Sequence, residues 1–109
     1  MASTYKVLAQ SAPSATTNTD VYTVGSGKSA VVSTITVCNR AASSATYRIA
    51  IRVAGATIAN EDYIAYDSTV PANDSIALTL GVTLAATDVV TVYASTANLS
   101  FNLFGAEIA

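Results

Sequence analysis

Histidine and tryptophan are absent from this 109-residue chain, cysteine occurs once and proline twice. Without histidine the usual general base is missing, together with the commonest zinc ligand and both the Ser-His and Cys-His nucleophile arrangements. A single cysteine excludes an internal disulfide framework. Charge is equally scarce: Asp, Glu, Lys and Arg make up 11% of residues, where soluble domains average about 25%. The formal net charge of −2 supplies no basic field for nucleic acid. No apolar run approaches the roughly 18 residues of a membrane span. No charged start precedes an apolar stretch of signal-peptide length, so synthesis and folding in a cytoplasm are expected.

What is present is apolar and hydroxylated. Hydrophobic residues reach 51%, and a surface with so few charges repels its neighbours weakly. That composition suits one copy within a larger assembly. The length fits one domain, residues 1–109, able to fold without staples.

Apolar residues recur with period two, the mark of half-buried strands. In Tyr47–Val53 the odd positions are large and apolar, while Arg48 and Arg52 share the other face. Ile76, Leu78, Leu80, Val82 and Leu84 repeat the pattern as one strand, with a bulge or close approach expected at Gly81. Val31, Ile35 and Val37 are expected on one face of a strand, with Val32, Thr34, Thr36 and Cys38 on the other; its two apolar faces place it mid-sheet. Tyr5–Ala9, Val21–Val24, Tyr63–Tyr66, Val89–Ala94 and Leu99–Phe104 complete the set. Turn residues at 25–28, 71–74 and 85–88 separate strands, 11–19 and 39–44 read as surface loops, and 56–62 allows a turn of helix. About eight short strands predict an all-β, antiparallel two-sheet sandwich, jelly roll preferred over immunoglobulin-like. Residues 1–4 are expected to form a flexible arm that reaches a neighbour.

Candidate chemistry is thin. Cys38 falls within a strand and reads as a buried, inert thiol. Gly27-Lys28-Ser29 lacks the earlier glycine of a phosphate loop, since Tyr22 stands there, and a strand rather than a helix follows. Glu61, Asp62 and Asp67 form the densest acidic patch, with Asp74 and Asp88 in turns; their spacing matches no calcium loop. Asn73-Asp74-Ser75 and Asn98-Leu99-Ser100 fit the glycosylation sequon but read as turn residues. The six tyrosines are expected at the core edge or between subunits. No catalytic residue, cofactor or metal site is assigned, and the chain reads as a non-enzyme.

The segments Val21–Lys28, Val31–Asn39, Tyr63–Asp67, Val70–Ser75, Val92–Ser95 and Leu99–Phe101 together resemble a family of small β-sandwich virion structural proteins of tailed bacteriophages, notably those of cyanobacteria and aquatic bacteria. Members often carry Pro where this chain has Gly25. The resemblance implies a particle component without catalytic residues. A capsid decoration (cement) protein that binds and stabilises the assembled shell is the first expectation. Its partners would be itself, as a cyclic homo-oligomer with a trimer favoured, and the major capsid protein. The alternative is a tail or fibre module that connects tail proteins or binds a host glycan. Neither nucleic acid nor membrane is expected as a partner, and the expected location is the virion, on the capsid surface.

Overall fold

The computed structural model describes residues 2–109. Among them nine strands form: β1 (Ser3–Ser11), β2 (Thr19–Thr23), β3 (Ser29–Asn39), β4 (Ala45–Arg52), β5 (Tyr63–Val70), β6 (Ser75–Leu78), β7 (Val82–Leu84), β8 (Val89–Ala94) and β9 (Leu99–Ile108). They make two antiparallel sheets. The first runs β1-β9-β3-β6, with β7 also paired to β3; the second runs β2-β8-β4-β5. The pairs nest along the chain. β4 meets β5, β3 meets β6 and β7, β2 meets β8, and β1 meets β9, as though one long hairpin had been rolled up.

Alternation supplies the core. Ile35, Val37, Phe101 and Leu103 point inward from the first sheet, against Tyr47, Ile49, Val90 and Val92 of the second, all buried. The Tyr47 and Phe101 rings meet edge to face at 6.3 Å and tie the sheets together. Each large apolar side chain buried here contributes roughly 1.5–3 kcal/mol.

Four expectations are corrected. The strand expected across residues 76–84 is two, because Gly81 takes a left-handed φ of +63° and breaks the ladder between Leu78 and Val82. No neighbouring atom lies within 4 Å of a Cβ built there, so the glycine serves the turn and not a close approach. In β3 a bulge between Val32 and Thr34 reverses the phase, so Val32 shares the buried face with Ile35 and Val37, and Val31 faces outward. β4 ends at Arg52, leaving Val53 exposed in a 3₁₀ turn; a second 3₁₀ turn spans Asn60–Asp62, within the stretch that allowed helix. The free arm is, over residues 2–4, part of the fold: Ser3 pairs with Ile108, Thr4 with Glu107, and Ala2 exchanges backbone hydrogen bonds with Ala109. Met1 lies outside the described residues.

Candidate functional site: two outward faces

Directly opposite residues of antiparallel strands share a face. On the outer face of the first sheet one row is therefore Tyr5, Ala106, Val31 and Thr83, flanked by Ile108 on one side and by Val7 with Phe104 on the other. Beyond Phe104 the face turns polar: Gln10 donates to Asn102 at 2.8 Å, with Thr36 beside them in register. No residue in these rows is charged. Tyr5 stands 86% exposed, and Val7 is also exposed.

Two bulges shape this face. Leu8 in β1 and Ser33 in β3 are extra residues on either side of β9, near Phe104. The Ser33 hydroxyl donates to the Phe104 carbonyl at 3.1 Å. At Gly105 the strands come so close that an added Cβ would overlap the Val31 carbonyl oxygen. The result is a shallow depression of about 300 Å³ among Tyr5, Val31, Ser33, Gly105, Ala106 and Ile108.

The opposite face, on the second sheet, carries aromatic and charged groups. The Arg48 guanidinium lies over the Tyr66 ring at 4.2 Å and the Tyr93 ring at 4.4 Å. It donates to both Asp67 oxygens, at 2.7 and 3.3 Å, and this bond raises its pKa. Tyr63 packs edge-on against Tyr66. A bulge in β5 makes the cluster: Tyr47 pairs with Ser68 and Ile49 with Ala65, so Tyr66 and Asp67 both stand opposite Arg48, with Asp67 at a left-handed φ of +50°. Nearby, Arg52 and the Thr91 hydroxyl both donate to Asp20, at 2.9 and 2.7 Å.

The sheet edges are interrupted. Ladder registers shift in β1, in β2 and twice in β5, and the remaining edge is split between β6 and β7. Such breaks oppose strand addition, which leaves the two faces as the surfaces suited to contact.

The acidic residues singled out in the sequence do not converge. Asp62 accepts from the Ala59 amide and Asp74 from Ser75, each closing its own turn, and buried Asp88 accepts from Ala85 in its own turn and from Ala54 of the distant 3₁₀ turn. Among the described residues, no three His, Cys, Asp or Glu side chains gather where a metal ion could sit. Cys38 is half-buried on the outer face of β3, in register with Ser75 and Ser100, and not in the core as expected. Of the tyrosines, Tyr22 and Tyr47 are buried, whereas Tyr5, Tyr63, Tyr66 and Tyr93 belong to the two outward faces.

The period-two pattern foretold that Arg48 and Arg52 share a face. It carried no sign of the bulges that give Arg48 its tyrosines or the first sheet its depression. Comparison with protein-family models, curated proteins and solved structures returns no match.

Proposed function

We propose that this chain is a structural subunit of a tailed-phage particle, a capsid decoration protein that binds the assembled shell and stabilises it. The observation that carries the reading is the pair of opposed contact faces on a domain whose edges are blunted. One face is uncharged and partly apolar; the other offers Tyr and Arg, the side chains that dominate binding energy at interfaces. A slab about 20 Å through its thinnest dimension, with such chemistry on both sides, can bridge two neighbours. The nested strand pairing supports a jelly roll over an immunoglobulin-like sandwich, and the resemblance of the β2–β3, β5 and β8–β9 segments to phage structural proteins points to the particle.

The mechanism is mass action. A protein that binds the assembled shell and not its free subunits shifts the equilibrium toward the shell, and many weak copies act together. Purified protein added to undecorated capsids is expected to raise their resistance to heat and low salt. Unchanged capsid stability at saturating protein overturns the proposal, and antibody labelling restricted to the tail replaces it with the tail reading.

A further inference from the structure

The outer face of the first sheet combines a knob and a hole. Tyr5 projects almost fully into solvent from β1, beside the depression of about 300 Å³ bounded by Val31, Ala106 and Ile108. A tyrosine side chain buries roughly 150–250 Å² when it enters a pocket. We propose that this face binds the same face of a second copy, about a two-fold axis, each Tyr5 entering the partner's depression. The proposal deepens the reading of the chain as an assembling subunit and rests on it for its biological setting.

Three features favour a second copy as the occupant. The first is charge. The rows from Ile108 to Asn102 hold no charged residue, so a charged partner would lose hydration there and gain no ion pair, whereas an identical uncharged face is matched. The second is area. Three strands of about ten residues, with the short β6 and β7 beside them, about 4.8 Å apart, cover on the order of 600 Å² per copy. Two such faces in contact reach the lower end of the roughly 1,200–2,000 Å² buried in stable interfaces. The third is geometry. Knob and hole lie on one face, so a two-fold operation satisfies both at once and the assembly closes at two copies, not the three expected from the resemblance. The interrupted β1 edge disfavours sheet extension as the route to a dimer.

Sedimentation equilibrium of the full chain, without capsids, tests this. The expected mass is that of a dimer, and Tyr5→Lys is expected to raise the dimer dissociation constant roughly tenfold or more, as loss of an aromatic anchor that fills a partner's pocket does. Tyr5 is exposed on an edge strand, so the variant should keep its far-ultraviolet circular dichroism; Tyr5→Phe should still dimerise. A monomer at millimolar concentration, a trimer, or a dimer indifferent to Tyr5→Lys overturns the proposal. A monomer that binds the apolar dye ANS in a Tyr5-dependent way overturns it in favour of a small apolar ligand. Because no capsid is present, a monomer that still protects capsids sinks the dimer alone, and a dimer that fails to protect them sinks only the decoration reading.

Discussion

The side-chain amide nitrogen of Asn39 lies 2.9 Å from the Ser43 carbonyl and 3.2 Å from those of Val70 and Pro71, and its oxygen accepts from the Ala41 amide. Asn39 is buried, and this one side chain holds the 39–44 loop against the 71–74 turn. A carboxylate of the same shape cannot donate. Asn39→Asp would place a negative charge against three carbonyl oxygens, and it is expected to cost at least about 2 kcal/mol in urea unfolding. An unchanged midpoint would show that the loops hold themselves. Nothing in the sequence marked this residue, since Asn at a strand end reads as an ordinary turn former. Its role depends on two segments about thirty residues apart meeting at one end of the sandwich.

At the scale of elements, β3 shows how a strand of correct type acquires an unexpected face. Val32 and Ile35 both point inward although they are three positions apart, because Ser33 is an inserted residue in the ladder with β9. Deleting Ser33 would restore strict alternation and keep Val32, Ile35 and Val37 inside. Deleting Thr36 would turn Val37 and Asn39 outward. The Ser33 deletion is therefore expected to fold with a lowered unfolding midpoint, and the Thr36 deletion not to fold, as followed by circular dichroism; equal behaviour would refute the bulge as the cause. Strand existence was legible because apolar and polar residues alternate along the sequence, and burial follows that alternation across Ala45–Ile49 and Leu99–Leu103. Bulges were not legible, because one inserted residue leaves the composition of a strand unchanged. The outward depression and the Arg48 cluster both depend on bulges, which is why the candidate faces emerged only from the fold.

For the molecule as a whole, the two sheets are joined at one corner by a polar tie. Tyr22 of β2 donates to Glu107 of β9 at 2.6 Å, and Lys6 of β1 pairs with the other Glu107 oxygen at 2.6 Å. The bond from Lys6, and then that from Tyr22, hold the Glu107 carboxyl below the usual glutamate range. Burial, reinforced by Glu107, pushes the Tyr22 phenol up, and burial does the same to Tyr47. The signs follow by linkage. Glu107 contributes stability fully present above its ordinary pKa of about 4.3 and lost as pH falls through the lower folded value. The tyrosines contribute stability present below about 10 and lost as pH rises through their higher folded values. Stability is expected to be level between roughly pH 5 and 10 and to fall on either side. Glu107→Gln should flatten the acid limb and Tyr22→Phe the alkaline limb in unfolding series across pH. Limbs unaltered by both variants would place the titrating groups elsewhere.

The nested pairing also governs how the chain must be made. Among the described residues the ladder partner of β1, at residues 3–11, is β9 alone, at residues 99–108, so β1 has no place in a sheet until β9 has been synthesised. Contacts this distant in sequence close slowly, on the order of milliseconds to seconds. Throughout that wait Tyr5 and Val7 travel on an unpaired apolar strand, and a nascent chain stalled before β9 would present it to chaperones or to other unfinished copies.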